Sequence, residues 1–247
     1  MLSRKRLMSK ILVIAEAGIS HQGNMSLAKE MVLRAKQAGA DCFKTQLYDV
    51  DTLFPDKQIT AQDRNWYKEV KRTQLTKEQV FELANYCKQF ELEFMASCYD
   101  LERLSWLEKI GVKRHKIGTR ANKNWKLISE MLKTNKEILY SCQVRDFTSY
   151  IFQFSVIKYL YCIPEYPTSL EKLKFREIAF PLEFQGFSSH YPGIEPALVA
   201  MARGAQIVEV HFCLSRKIVT GPDITSSIEP DELRQLVRFA RKVEEIL

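Results

Sequence analysis

The sequence of 247 residues lacks any uncharged apolar run as long as a transmembrane helix, which needs about 18 residues. It also lacks the apolar segment of a secretory signal peptide, because the start MLSRKRLMSK is followed by only about five apolar residues before Glu16. We therefore expect a cytoplasmic protein in which residues 1–10 form a basic N-terminal arm.

Cysteine pairs of the Cys-X-X-Cys type are absent, although the chain has six cysteines. Their wide spacing argues for reduced thiols and against a disulfide or zinc-ribbon framework. Glycine (9 residues) and proline (8 residues) are too scarce for a collagen-like chain. A hydrophobic content of 46% excludes a mostly disordered chain and is typical of a globular protein.

Acidic residues are outnumbered, since 37 lysines and arginines face 30 aspartates and glutamates and leave a net charge of +7. Such an excess suits either a nucleic acid or a small anionic substrate such as a phosphate ester. The sequence has no basic stripe interleaved with aromatic residues and no nucleic-acid-binding motif. We therefore expect a small-molecule substrate, with neither nucleic acid nor membrane as a partner.

Strand-like and helix-like segments alternate from residue 11 to the end of the chain. Apolar runs rich in β-branched residues predict strands over 11–15, 41–45, 93–97, 114–117, 137–141, 156–162, 183–188 and 206–211. Helical periodicity predicts helices over 25–37, 76–90, 101–110, 124–133, 170–178, 194–203 and 230–247, with a long polar loop over 49–73. Eight strand–helix units within 11–247 predict an α/β fold, a single closed (β/α)8 barrel of the TIM type, with an open doubly wound sheet as the alternative.

Active sites of such barrels lie at the carboxyl ends of the strands, so the residues there are the candidates. His190 and His211 follow two adjacent predicted strands, and neutral imidazoles are common ligands of divalent metal ions. Glu209 lies two residues before His211 and therefore points to the same side of the strand. The pattern predicts a metal site with two histidine ligands, and two structural histidines remain the alternative.

Lys44 and Lys116 end the second and fourth predicted strands. Burying an ammonium group without a partner is costly, so lysines at these places are typical of a site for an anion. The hydroxyl groups available to the same anion are those of Thr119, Ser141 and Ser188. The alternatives are a solvated lysine paired with Glu16 and a lysine that forms a Schiff base with its substrate.

Two further polar residues lie in loops after the sixth and eighth strands. Tyr166 either hydrogen-bonds a substrate or packs its own loop. Asp223 follows Gly221 and Pro222, a sequence that is typical of a turn.

Several short segments, taken together and in order, resemble the sialic acid synthase (N-acetylneuraminate synthase) family, whose members condense phosphoenolpyruvate with an N-acetylated sugar such as N-acetylmannosamine. The segments are 15–24 (AEAGISHQGN), 38–46 (AGADCFKTQ), 116–119 (KIGT), 166–168 (YPT), 186–190 (GFSSH), 209–212 (EVHF), 221–223 (GPD) and 227–233 (SIEPDEL). Each is weak alone, but together they are specific and cover essentially the whole chain.

The resemblance implies a transferase of nonulosonic acid biosynthesis that forms a carbon–carbon bond and releases phosphate. It implies His190 and His211 as ligands of a divalent ion of manganese type, with magnesium and cobalt as alternatives. The residues that fall where the family binds phosphoenolpyruvate are Lys44, Lys116, Thr119, Ser141 and Ser188. Those that fall where it binds the sugar are Glu16, Gln46, Tyr166 and Asp223. The implied catalytic groups are Glu16, Glu209 and Lys116.

The chain departs from the family pattern mainly around the sugar. Ala121, preceded by Arg120, stands where the family has an acid, and Pro164 replaces a polar residue before the loop tyrosine. The remaining departures are Thr119 for serine, Cys142 and Gln143 for threonine and glycine, and Val210 for lysine. The core that would bind the metal ion and phosphoenolpyruvate is retained, with Thr119 keeping the hydroxyl group of the usual serine.

The resemblance concerns the catalytic barrel only, and we expect no C-terminal antifreeze-like domain. In relatives this domain swaps onto the partner subunit and adds an arginine to its sugar site. The family also implies a homodimer. Two other functions remain open, namely a metal-dependent aldolase or lyase acting on another carbonyl acceptor, and a non-catalytic relative that binds a ligand or a partner.

Overall fold

The computed structural model describes residues 10–54, 61–144, 154–217 and 221–246. Eight parallel strands form a closed barrel in which each strand pairs with the next and the last pairs with the first. The strands are β1 (Leu12–Gly18), β2 (Cys42–Leu47), β3 (Glu93–Cys98), β4 (Arg114–Ile117), β5 (Glu137–Cys142), β6 (Ile157–Tyr161), β7 (Gly186–Ser189) and β8 (Ile207–His211). The predicted single (β/α)8 barrel is confirmed, and the open sheet is excluded.

The helices surround this barrel. They are α1 (Met25–Ala38), α2 (Val50–Leu53), α3 (Ala61–Thr73), α4 (Lys77–Gln89), α5 (Leu101–Ile110), α6 (Trp125–Lys133), α7 (Glu195–Ala202) and α8 (Pro230–Ile246). Thr76 caps α4, since its hydroxyl accepts the Gln79 backbone N–H and the Gln79 side chain accepts the Thr76 N–H. The first turn of α4 therefore has its exposed N–H groups satisfied by local sequence.

A small apolar cluster fills the barrel interior below the carboxyl ends of the strands. Its buried members are Ile14, Cys42, Met95, Leu139, Leu160 and Ile207. Alternate residues of a strand point to the same face. The residue two positions after each of these therefore also points into the barrel, and these residues are Glu16, Lys44, Ser97, Ser141, Cys162 and Glu209. The pleat of the strands places a layer of polar side chains directly on the apolar interior.

The predicted helix over 170–178 is wrong. The chain there forms two short 3-10 turns, Leu170–Lys172 and Phe175–Glu177. Phe175 packs against the rings of Tyr161 and Phe187, whereas Leu170 is 55% exposed. Aromatic contacts of one residue, rather than a buried apolar helix face, fix this segment.

The predicted polar loop over 49–73 is also wrong in part, because α2 and α3 lie within it. Val70 of α3 packs in a small buried cluster with Ile19, Tyr48 and Val50. This contact holds a mostly polar helix beside the loop that follows β1.

Parts of the remaining predictions fall outside the described residues. These include positions 1–9 of the predicted basic arm and position 247 of the predicted last helix. Lys10, which is described, pairs with Asp41.

No helix in the described ranges is long and apolar enough to cross a membrane. All six cysteines lie in the described part of the chain, where they are buried and form no disulfide. The predicted absence of a disulfide framework therefore agrees with the structure.

Candidate active site

The carboxyl ends of the strands surround a cavity of about 640 Å³. Every site residue predicted from the sequence lines it: Glu16, Lys44, Gln46, Lys116, Thr119, Ser141, Tyr166, Ser188, His190, Glu209, His211 and Asp223. The floor of the cavity consists of one buried side chain from each of β1, β2, β4, β5, β7 and β8, namely Glu16, Lys44, Lys116, Ser141, Ser188 and Glu209.

Two lysines and two glutamates alternate across this floor. Lys44 Nζ lies 2.9 Å from Glu16 Oε2 and 3.7 Å from Glu209 Oε1. Lys116 Nζ lies 3.7 Å from the same Glu209 oxygen, which also accepts a hydrogen bond of 3.0 Å from Ser188 Oγ. All four charged side chains are buried, so each charge depends on its neighbours rather than on water.

The two lysines differ in their electrostatic surroundings. Burial acts to lower the pKa of Lys44, but Glu16 and Glu209 outweigh it and raise that pKa above its ordinary value. At Lys116 burial outweighs the attraction of Glu209, and the pKa is lowered. Lys116 donates a hydrogen bond of 2.7 Å to Ser141 Oγ. Lys44 is therefore a permanent ammonium, whereas Lys116 gives up its proton more readily than an ordinary lysine.

His190 and His211 meet at the ends of β7 and β8, with ring centres 5.2 Å apart. Tyr166 stacks on His190 at 3.9 Å between ring centres and meets His211 edge-on at 5.4 Å. Burial, together with the adjacent His211, lowers the pKa of His190 to about 3. His190 is therefore a neutral imidazole near pH 7.

This donor set fits a divalent metal ion bound by two imidazoles. Among the residues that the structure describes, Nδ1 of His190 and Nδ1 of His211 are buried without a hydrogen-bond partner. The described part of the chain contains no group of three or more histidine, cysteine, aspartate or glutamate side chains that could together hold a metal ion. The chain could thus supply two imidazole ligands, with the other coordination positions left to water and substrate.

Asp223 lies beside the histidine pair, between His211 and the turn after β1. Asp223 Oδ2 accepts a hydrogen bond of 3.2 Å from the backbone N–H of Ile19 and lies 3.9 Å from His211 Nδ1. Gly18 has a φ of 52°, and a Cβ atom there would lie 2.2 Å from the same Asp223 oxygen. Only glycine allows the turn after β1 to approach this carboxylate so closely.

The residues that line the cavity but were not among those predicted include Ser97, Tyr99, Arg120 and Cys162. Ser97 Oγ accepts a hydrogen bond of 3.1 Å from Lys44, and Cys162 Sγ lies 3.7 Å from His190 Nε2. The alternation of inward-facing residues along β3 and β6 could have identified these two. Tyr99, which donates a hydrogen bond of 3.3 Å to Gln46 Oε1, and Arg120 lie in loops that carry no such signal.

Comparison with known families decides the relationship that the short segments suggest. The NeuB family matches residues 31–247 of the chain. The chain belongs to the NeuB family.

Two relatives of this NeuB-family chain are named synthases. It is 30% identical to the N-acetylneuraminate-9-phosphate synthase of Homo sapiens, over 95% of this chain and 70% of that protein. It is 29% identical to the N,N'-diacetyllegionaminic acid synthase of Campylobacter jejuni, over 97% of this chain and 78% of that protein. Like them, the NeuB-family chain is an enzyme, and the predicted family relationship is confirmed.

A solved structure agrees with the fold. The N-acetylneuraminic acid (sialic acid) synthetase of Leptospira borgpetersenii, crystallised with citrate, superposes with a TM-score of 0.86 at 26% identity. The match covers 96% of this chain and 85% of that one.

Proposed function

We propose that this NeuB-family enzyme condenses phosphoenolpyruvate with an N-acetylated sugar, N-acetylmannosamine or a relative, in a metal-dependent reaction that yields a sialic-acid-like nonulosonic acid and phosphate. The observation that carries the proposal is the alternating lysine–glutamate floor beside the histidine pair in one cavity. The reaction needs a site for an anion, polarisation of an aldehyde and groups that move protons. The names of the relatives support the same class of product.

The floor of the cavity is proposed to bind phosphoenolpyruvate. Lys44 and Lys116 supply positive charge for its phosphate and carboxylate, and three hydroxyl groups lie beside them, those of Thr119, Ser141 and Ser188. Hydrogen bonds from an ionised donor to an anion are stronger than those between neutral groups. Lys44 keeps its proton throughout, because the two glutamates raise its pKa.

The acceptor sugar is proposed to lie against Gln46, Tyr166 and Asp223, with its aldehyde facing the histidine pair. A divalent ion held by His190 and His211, manganese in the first instance, would act as a Lewis acid on the aldehyde oxygen. The stacked ring of Tyr166 keeps His190 in a fixed orientation.

The bond changes balance without any further reactant except water. C3 of phosphoenolpyruvate forms a bond to the aldehyde carbon, and the aldehyde oxygen takes up a proton. Water adds to C2, loses a proton, and phosphate leaves with cleavage of the C–O bond. Lys116 can donate a proton because its pKa is lowered, and Glu16 and Glu209 can accept protons at the floor of the cavity.

Phosphate release from phosphoenolpyruvate tests the proposal. We expect the purified chain to release phosphate only when N-acetylmannosamine and Mn²⁺ are both present. His190→Ala and His211→Ala should each reduce the rate by about 100-fold, because polarisation of the aldehyde by an ion contributes several kcal/mol. His115→Gln is the matched control, since His115 lies outside the cavity beside Glu108 at 3.0 Å.

The other outcomes have distinct meanings. Consumption of sugar without release of phosphate would indicate an aldolase. Phosphoenolpyruvate binding by calorimetry without turnover would indicate a different acceptor sugar. If phosphoenolpyruvate does not bind and no phosphate is released, the proposed function is contradicted.

A further inference from the structure

Tyr99 follows β3 directly and is held in place on three sides. Its backbone N–H donates a hydrogen bond of 3.2 Å to the Leu47 carbonyl, and its own carbonyl accepts one of 3.3 Å from Asn124 Nδ2. Its ring packs edge-on against the buried ring of Tyr48, with ring centres 6.4 Å apart. The hydroxyl group of Tyr99 therefore has a fixed place in the lining of the cavity.

Gln46 lies between Tyr99 and Glu16, and its amide satisfies both neighbours in only one orientation. Tyr99 Oη donates a hydrogen bond of 3.3 Å to Gln46 Oε1, and Gln46 Nε2 donates one of 3.4 Å to Glu16 Oε1. The other carboxylate oxygen of Glu16 pairs with Lys44 at 2.9 Å, so this side chain offers only acceptors. The Gln46 carbonyl must point to the tyrosine, because turning the amide over would bring oxygen against oxygen at Glu16.

The Tyr99 hydroxyl keeps its proton near neutral pH, because burial raises the pKa of Tyr99 to about 12. It is therefore a permanent donor to Gln46 Oε1. The amide of Gln46 has one N–H directed at Glu16 and one lone pair directed at Tyr99. Its second N–H and its second lone pair remain for a ligand, and the two neighbours fix the directions in which they point.

We propose that Tyr99 is a positioning residue that holds the Gln46 amide in the orientation in which it receives the acceptor sugar. The part that concerns the sugar rests on the proposed function, in which Gln46 contacts the acceptor. A polar group that is oriented before binding loses less freedom when the substrate arrives. The Tyr99 hydroxyl thereby lowers the KM for the sugar and leaves the binding of phosphoenolpyruvate to the lysine floor unchanged.

Tyr99→Phe removes only the hydroxyl group and keeps the ring against Tyr48. We expect the KM for N-acetylmannosamine to rise by about 3- to 10-fold, the usual effect of losing one hydrogen bond between neutral groups. The KM for phosphoenolpyruvate should stay unchanged. Tyr67→Phe is the matched control, because the Tyr67 hydroxyl donates a hydrogen bond of 2.7 Å to Asp51 beside the same apolar cluster but outside the cavity lining. It should leave both KM values unchanged.

A double substitution separates action through Gln46 from direct contact between Tyr99 and the sugar. Gln46→Met removes the amide, so adding Tyr99→Phe to this variant should raise the KM for the sugar no further. An equal rise with and without the amide would overturn the inference, since the tyrosine would then act on the substrate itself. So would a higher KM for phosphoenolpyruvate in Tyr99→Phe with an unchanged KM for the sugar.

The side-chain amide signals of Gln46 in nuclear magnetic resonance spectra provide a readout that needs no substrate. In isotope-labelled protein they are identified by their absence in Gln46→Met. They should shift in Tyr99→Phe and stay in place in Tyr67→Phe. Unchanged signals in Tyr99→Phe would overturn the inference whether or not the chain is active. If the signals shift but the wild type releases no phosphate, the proposed function fails and the orientation of Gln46 by Tyr99 stands.

Discussion

Glu209 illustrates how the chemistry of the site depends on single residues. One of its carboxylate oxygens faces Lys44, Lys116 and the Ser188 hydroxyl, and the residue is buried. Burial acts to raise its pKa, but the two lysines and His211 outweigh that effect and the pKa is lowered. Glu209 is therefore an ionised carboxylate that shares its charge between two ammonium groups. Binding of an anion must redistribute these pairs, which couples substrate binding to the protonation of the floor.

His21 makes the stability of the protein depend on pH. It is fully buried in the loop after β1, its Nδ1 accepts the Gly23 N–H at 3.0 Å, and burial lowers its pKa to about 4. An unfolded histidine takes up a proton below about pH 6.5, whereas the native one does so only near pH 4. The contribution of His21 to stability is therefore lost as the pH falls from 6.5 to 4, with a slope of up to about 1.4 kcal/mol per pH unit.

Urea unfolding of the wild type and of His21→Asn at pH 7, 5.5 and 4.5 checks this expectation. Asparagine keeps an acceptor for the Gly23 N–H but does not titrate, so the difference in unfolding free energy between the two proteins should shrink at low pH. A difference that stays constant over this range would show that His21 does not remain neutral in the native state.

At the scale of the elements, the strands were predictable as short apolar runs that are buried on both faces. Along each run the side chains point to alternate faces, with a period of two. The same period that places Ile14 inside the barrel places Glu16 above it, and a site residue could be inferred from each strand end. The helix α3 was not predictable, because its polar sequence is held by contacts of Val70 with a distant loop. The position of Arg120 in the cavity lining was equally unpredictable from the sequence, since it depends on the path of a short turn rather than on a repeating pattern.

The turn after β1 provides a prediction at this scale. Gly18→Ala would push the new Cβ atom against Asp223, whose carboxylate would have to move away from Ile19 and His211. We expect a loss of stability of more than about 1 kcal/mol, the usual effect of an alanine forced to positive φ. The KM for the acceptor sugar should also rise.

Gly111→Ala is the matched control for this variant. Its φ of 78° imposes similar backbone strain, but no atom lies within 4 Å of the new Cβ. It should lower the unfolding free energy by about 1 kcal/mol and leave the KM for the sugar unchanged. Equal effects of the two variants on KM would show that the contact with Asp223 has no part in positioning that carboxylate.

The whole molecule divides its tasks between the two ends of the barrel. The carboxyl ends of the strands carry the cavity, and the amino ends carry ion pairs that join the first strands to the last helix. Arg241 of α8 pairs with Asp41 at 2.6 Å and donates a hydrogen bond of 2.9 Å to the Ile11 carbonyl, while Glu244 accepts the Ile11 N–H. These contacts join α8 to the residues that directly precede β1 and β2, at the face that in barrels of this type serves stability rather than catalysis.

Arg241→Ala should therefore lower stability without changing the chemistry. Asp41 is nearly buried and would lose a charged partner, so we expect the unfolding free energy to fall by about 2 kcal/mol, as is usual for a hydrogen bond to a charged group. Arg234→Ala, on the exposed face of the same helix, removes only a surface pair with Asp231 and should change stability by less than about 0.5 kcal/mol. Both variants should keep the wild-type kcat/KM for phosphate release at a temperature where they are folded. A lower kcat/KM in folded Arg241→Ala alone would show that the two ends of the barrel are coupled. Arg241 does not line the cavity, so the substitution would then change catalysis without contacting the site.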